Sequence, residues 1–397
     1  MLAKKYTAVA GQSSVIREIF EYGKKRAAVV GADNVFDFSI GNPSVPAPEM
    51  VNETAIRIMQ TEDSCKVHGY PSAVGYDDTR EAIAANLNRR YHMQYHKNNI
   101  FMTIGAASAI SLCFRVLADY GQDDEIMVCA PYFPEYKCFI EGAGVKVTEI
   151  SADPKDFQIN FPELESKLNV HTRAIIINSP NNPTGVVYSE DTLKKLAAIL
   201  EEASNRFGRP IYIISDEPYR EIVFDDKTVP YVPHFYKNTL VCYSYSKSLS
   251  LPGERVGYIA FTDEISDADI MLGTIGAVAR EMGYVGVPSL FQMVVRDCVD
   301  ALSDISVYET NRNILYKALT QMGYQCVKPD GTFYIFPRCL EEDAENFCKR
   351  AQKYDLLVVP STSFSCDSHF RLSYCVPTKR VERALPLFEK LIKEYRG

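Results

Sequence analysis

The sequence predicts an α/β protein: a mostly parallel seven-stranded sheet wrapped by helices, with a smaller α+β domain beside it. Between residues 100 and 261 short β-rich runs alternate with helical patterns, the order that builds a parallel sheet with helices on its faces. Several of these runs are nearly continuous Ile, Val and Tyr, as strands covered on both faces require. After about residue 290 that alternation stops, and longer helical patterns mix with short strands.

The strand-like runs are IFMTI at 100–104, EIMVCA at 125–130, VKVTEI at 145–150, RAIIINS at 173–179, IYIISDE at 211–217, TLVCYSYS at 239–246 and RVGYIAF at 255–261. Among the intervening helices, 189–207 is opened by Ser189 as N-cap, with Asp191 in its first turn. Further on, a helical pattern spans 289–322, a helix lies near 343–355, and strands fall at 356–360 and 369–375 before a C-terminal helix. An N-terminal helix near 13–30 is too isolated to carry its own core and is placed with this second domain. The expected division is an N-terminal segment at 1–47 joining the small domain, a large domain at 48–289 and a small domain at 290–397. With 397 residues, 46% of them hydrophobic, two cores are expected, since single cores stop growing at roughly 250–300 residues.

Fifty-one acidic against 43 basic residues give a net charge of −8, with no basic stripe, which argues against nucleic acid or anionic membrane as partner. The N-terminus has no signal-peptide run and no segment approaches the roughly 20 apolar residues of a spanning helix, so a cytoplasmic protein is expected. The 11 cysteines include no C-x-x-C pair. Cys113, Cys129, Cys138, Cys242 and Cys375 read as small buried hydrophobes in a reducing compartment. The six histidines show no ligand spacing, so no metal is expected.

The chemistry collects at strand ends, where open α/β sheets bind ligands. Lys247 follows an apolar strand among Ser244, Ser246 and Ser248. Alone it reads first as a solvated strand-end lysine; the sharper reading is a partly desolvated Schiff-base nucleophile. Arg255, eight residues on, and the Ser244 hydroxyl together suit a phosphate. Asp216 ends the buried run IYIIS and is costly to desolvate unless paired. It either caps the following turn, with Glu217 solvated, or pairs with a protonated ring nitrogen of a cofactor. Asn182 lies in the turn N-N-P-T-G, which needs no function of its own. Gly105, Ala106 and Ala107 precede the helical pattern 109–119 and leave backbone N–H groups free for a phosphate.

The ordered set N-P-T-G (182–185), D-E-P-Y (216–219), S-Y-S-K (244–247) with Arg255, and F-R-L-S (370–373) resembles the class I/II aminotransferases of the aspartate aminotransferase superfamily. The resemblance runs from S-I-G-N-P-S at 39–44 to the last helix. It implies the fold type I large domain, pyridoxal 5'-phosphate as cofactor and a homodimer. Lys247 matches the Schiff-base lysine that also shuttles the proton, Asp216 the carboxylate on the pyridinium nitrogen, and Tyr219 and Asn182 the partners of the phenolic oxygen. Phe133, in P-Y-F-P, matches the ring-stacking residue. Ser244, Arg255 and the amides of Ala106 and Ala107 match the phosphate cup. Arg371 matches the clamp on the substrate α-carboxylate, Gly41 a backbone position beside the substrate, and Tyr70 a tyrosine reaching the neighbouring subunit's phosphate. In two places the chain departs from some relatives: Ala107 replaces a hydroxyl residue, and Ser108 replaces a lysine of aspartate-preferring members. Arg280 is an alternative reader of a second carboxylate or an exposed helix arginine.

The implied activity is amino transfer between an L-amino acid, aspartate or another, and a 2-oxo acid, with glutamate and 2-oxoglutarate as the common pair. The nearest rival is a β-C–S lyase of the same fold. A more distant one is a non-catalytic pyridoxal-phosphate-sensing module.

Overall fold

The structure is a computed structural model that describes residues 2, 7, 14–153 and 155–396. Residue 13, the expected start of the first helix, lies outside the described residues; the helix runs Val15–Val30. It leads to a short strand, β1 (Phe36–Asp37).

All seven expected runs form strands of one sheet: β2 (Ile100–Thr103), β3 (Glu125–Ala130), β4 (Lys146–Ser151), β5 (Thr172–Asn178), β6 (Tyr212–Asp216), β7 (Thr239–Ser244) and β8 (Gly257–Ala260). Their order is β2-β8-β7-β6-β5-β3-β4. Only β8 runs antiparallel to its neighbours, β2 and β7. Strands β2, β3, β5, β6, β7 and β8 are buried along their whole length, save Arg173 of β5. That burial explains their near-continuous apolar sequences. One face packs on the helix Ala106–Leu117 through Ile110, Cys113 and Phe114, the other on Glu190–Phe207 through Leu193, Leu196 and Leu200. Ser189 caps the latter helix as expected, its Oγ accepting from the Thr192 N–H at 3.0 Å, an arrangement worth about 1 kcal/mol.

Beyond this sheet, β9 (Tyr334–Ile335), β11 (Val359–Pro360) and β12 (Phe370–Ser373) form a small antiparallel sheet in the order β11-β12-β9. β10 (Leu356–Leu357) instead pairs in parallel with β1. The single strand expected at 356–360 is therefore two, serving two sheets. The helices Ser306–Met322, Ala344–Gln352 and Thr378–Arg396 cover this layer.

The expected helix at 289–322 is broken into Ser289–Cys298 and Ser306–Met322. Between them Ser303 donates its backbone N–H to the Ser248 carbonyl at 2.8 Å, and Asp304 accepts the Ser306 N–H at 2.9 Å, starting the second helix. The break lets the two halves serve different cores. Met293, Val294 and Val295 pack with Val51, Ile83 and Tyr258 beside the large sheet, whereas Tyr308, Leu315 and Leu319 join the small layer. A continuous apolar period does not reveal which core each turn faces. The segment 290–298, expected in the small domain, thus packs with the large sheet.

Two local expectations also change. Glu217 is buried rather than solvated, paired with Arg220 at 2.8 Å. Cys138 is exposed, whereas Cys113, Cys129, Cys242 and Cys375 are buried thiols.

Candidate active site

The carboxyl ends of β5, β6 and β7 lie side by side, with Asn178 opposite Asp216 and Asp216 opposite Cys242. Each strand then turns into a loop carrying reactive side chains. These loops, the N-terminal turn of Ala106–Leu117 and residues of the small sheet enclose a cavity of about 600 Å³. Gly41, Ala106, Ala107, Phe133, Asn182, Asp216, Tyr219, Ser244, Lys247, Arg255 and Arg371 all line it. Residues 300 positions apart in sequence thus face one space.

Lys247 sits in the short helix Tyr245–Ser248, capped by Ser244, and donates from Nζ to the Gly41 carbonyl at 3.0 Å. Its ammonium lies deep in the cavity over the Phe333 ring, 5.3 Å from the centroid. Burial lowers its pKa to about 8, and the nearby guanidinium groups of Arg255 and Arg371 push the same way. A substantial fraction of the amine is then neutral near physiological pH, the state a nucleophile needs.

Asp216 is fully buried. The Tyr136 hydroxyl donates to its Oδ2, and its Oδ1 has no hydrogen-bond partner. Burial raises the carboxyl pKa to about 7, opposed by the Tyr136 hydrogen bond and reinforced by Glu217. An unpaired buried carboxylate facing a cavity calls for a cationic or N–H-bearing group there.

Gly105 adopts φ +81°, and a Cβ at this position would stand 2.6 Å from Nη2 of Arg255. Glycine therefore lets the guanidinium lie against the turn. Arg255 itself holds φ +55°, a conformation rare outside glycine that concentrates at functional sites. The helix starts at Ala106, three residues before the expected pattern, so Ala106 and Ala107 form its first turn, whose N–H groups have no partner inside the helix. With Ser244 they surround one end of the cavity.

Arg371, on β12, donates from Nη1 to Asn182 Oδ1 at 3.1 Å and from Nη2 to the Ser39 carbonyl at 2.5 Å. Its guanidinium lies between the rings of Tyr334 and Phe364, 4.5 and 4.9 Å from their centroids. Burial lowers its pKa, and among the described residues it has no ion-pair partner. Asn182 receives this bond through its carbonyl oxygen, which leaves the amide N–H₂ as its donor end.

Three residues weighed from the sequence lie elsewhere. Ser108 is buried and donates to the Gly105 carbonyl at 3.1 Å, away from the cavity wall. Arg280 is exposed on the helix Ala268–Glu281, in a separate groove beside Ala73. Tyr70 is fully exposed. The sequence reading missed Tyr136, Tyr334 and the N-terminal helix, whose Ile16, Arg17 and Phe20 also line the cavity. Tyr136 lies three residues after Phe133 in P-Y-F-P-E-Y, a helical spacing that was available as a signal.

A lysine and a buried carboxylate at the strand ends of the large sheet thus share one cavity with a buried arginine of the small sheet. The profile of the family Aminotransferase class I and II matches residues 33–387, and the chain belongs to that family. A probable aspartate/prephenate aminotransferase of Aquifex aeolicus is 31% identical over 386 residues, covering 93% of this chain and 94% of that one. An aspartate aminotransferase of Thermotoga maritima is 30% identical, with 93% and 94% coverage. Among solved structures, an amino transferase from Eubacterium rectale superimposes with a TM-score of 0.97 at 50% identity, covering both chains completely. The Thermotoga aspartate aminotransferase structure gives 0.86 at 27% identity, covering 99% of this chain and 100% of that one. The protein is an aminotransferase acting on amino acids, and neither the lyase nor the sensing reading is favoured.

Proposed function

We propose that the cavity holds pyridoxal 5'-phosphate, with Lys247 as the residue that bonds it. The observation that carries this reading is that Lys247, its pKa lowered to about 8, shares one cavity with Asp216, whose Oδ1 has no hydrogen-bond partner. The cavity fits the group: Gly105, Arg255, Ser244 and the Ala106 and Ala107 amides suit a phosphate, Phe133 offers a flat apolar wall, and Asp216 suits a ring N–H. When bound, the cofactor supplies an electron sink for the substrate's α-carbon. Arg371 receives the α-carboxylate in the plane fixed by its two aromatic neighbours, which orients the α-hydrogen toward Lys247. The Lys247 amine takes that proton from Cα as general base and returns it on the product side. Tyr219 and the Asn182 amide donate hydrogen bonds to an anionic oxygen, and Asp216 holds the proton of the ring nitrogen. Nitrogen leaves one amino acid and is delivered to a 2-oxo acid in a second half-cycle.

The names of the Aquifex and Thermotoga relatives put aspartate first among the substrates to test, with glutamate and 2-oxoglutarate as the common pair. The loaded protein should be mixed with each amino acid in turn, and conversion of the cofactor to its amine form followed by absorbance. Conversion by at least one amino acid is expected; none with any of them would sink the reading. Arg371→Leu is expected to raise KM for every amino acid, a loss of about 2–5 kcal/mol in binding, because all share the α-carboxylate. An effect confined to dicarboxylic substrates would make Arg371 the side-chain reader instead.

The assembly is proposed to be a homodimer in which Tyr70 serves the partner's phosphate. Its full exposure leaves the ring free to meet a partner subunit. Lys247→Ala and Tyr70→Ala chains refolded together in equal amounts should regain about a quarter of intact sites under twofold symmetry. Activity equal to the mean of the two separate variants would place Tyr70 in its own chain's site. A cytoplasmic setting is proposed with it; no helix among the described residues is long and apolar enough to cross a membrane.

A further inference from the structure

Tyr334 touches three parts of the site at once. Its ring lies under the Arg371 guanidinium at 4.5 Å, its hydroxyl is 3.1 Å from that of Tyr219, and a Cβ on Gly41 would stand only 1.8 Å from its oxygen. The residue is buried on β9, held in register opposite Ser373 of β12, with its backbone N–H donating to Thr332 Oγ1 at 3.0 Å. It therefore cannot leave this position without disturbing the small sheet.

Resting on the reading above, we propose that Tyr334 is a positioning residue with two separable tasks. Its ring, opposite Phe364, fixes the plane in which Arg371 meets a substrate carboxylate. Its hydroxyl shares a hydrogen bond with that of Tyr219 in which either oxygen can be the donor; with a cofactor oxygen in the cavity to accept the Tyr219 proton, Tyr334 takes the donor role. The first task belongs to substrate binding. The second belongs to the cofactor end of the site.

The geometry supports both. Arg371 has no ion-pair partner among the described residues; its hydrogen bonds to Asn182 and the Ser39 carbonyl tie down two of its nitrogens, and the Tyr334 and Phe364 rings pack against the guanidinium. Arginine stacked on an aromatic face gains most where water is excluded. The Tyr219 hydroxyl is buried at the cavity wall, and among the described residues the Tyr334 hydroxyl lies within hydrogen-bond distance of it.

The test compares Tyr334→Phe with Tyr334→Leu. Tyr334→Leu is expected to raise KM for amino acids, and the Kd of 2-methylalanine, by about 30-fold, the value of a desolvated cation–π contact. 2-Methylalanine offers a carboxylate and an amine but no α-hydrogen, so calorimetry reads binding without turnover. Tyr334→Phe should restore both constants while moving upward the pH midpoint of the cofactor's visible absorbance, in the direction expected for Tyr219→Phe and by less. Phe364→Leu, on the other side of the guanidinium, should raise KM without moving that midpoint, which keeps the claim testable if Tyr334→Leu folds poorly. Equal damage from Phe and Leu in KM and Kd, or an unmoved midpoint in Tyr334→Phe, would overturn the assignment. A parent protein that converts with no amino acid would defeat the proposed function; a parent that converts, with unchanged 2-methylalanine binding in Tyr334→Leu, would defeat this inference alone.

Discussion

Lys247→Ala is expected to keep the cofactor and lose turnover, with α-proton transfer slowed by about 10²–10⁴-fold or more, the usual contribution of a positioned base. The separation follows from the geometry. The groups proposed to hold the phosphate gather at the Gly105–Arg255 end of the cavity, while the lysine enters from the short helix after β7 and reaches toward Gly41. Removing the amine leaves the first set intact. Cofactor content and steady-state rate should be measured together on the purified variant. Near-parental turnover would show that another group moves the proton, and complete loss of the cofactor would show that the phosphate end contributes little holding.

The second large effect concerns Asp216. Asp216→Asn is expected to slow α-proton abstraction by about 10²–10⁴-fold, because a neutral amide cannot hold a ring N–H proton as a carboxylate does. The cofactor-free protein should show an opposite response in stability. Its Asp216 carboxyl has a pKa raised to about 7 by burial, so between the ordinary carboxyl range and about 7 the folded chain retains a proton that the unfolded chain releases. Stability of the cofactor-free parent therefore falls as pH rises through that window, by about 1.4 kcal/mol per unit. Asp216→Asn lacks this loss and should melt higher than the parent at pH 8 when both are stripped of cofactor. Single-turnover rates close to the parent's, or identical melting curves across the window, would mean that Asp216 does not carry the role given to it.

The two residues with the largest expected effects were also the most legible in the sequence. Lys247 and Asp216 each follow an apolar run, and with Asn182 they stand out as an ordered motif set, although each taken singly also allows a solvated or turn-forming reading. The seven sheet strands were legible, since continuous Ile and Val over five or six residues leave few alternatives. Tyr136 and Tyr334 were not. Their contacts with Asp216 and Tyr219 span 80 and 115 residues, and each sits in an aromatic-rich stretch where a tyrosine reads as core. The break between Ser289–Cys298 and Ser306–Met322 was hidden because both halves share one helical period while facing different cores. The strand pair at 356–360 was hidden because its two halves take partners from β1 and β12, more than 300 residues apart. Local pattern records burial; it does not record against what.

The central claim is that Lys247 bonds the cofactor, and chemical trapping tests it most directly. Borohydride added to the loaded protein fixes the cofactor to whichever nitrogen holds it, and peptide mass mapping then locates the added mass. The account predicts a single modified peptide containing Lys247, with none recovered from Lys247→Ala. Mass on a peptide centred on any other lysine, or label that persists in Lys247→Ala, would contradict it.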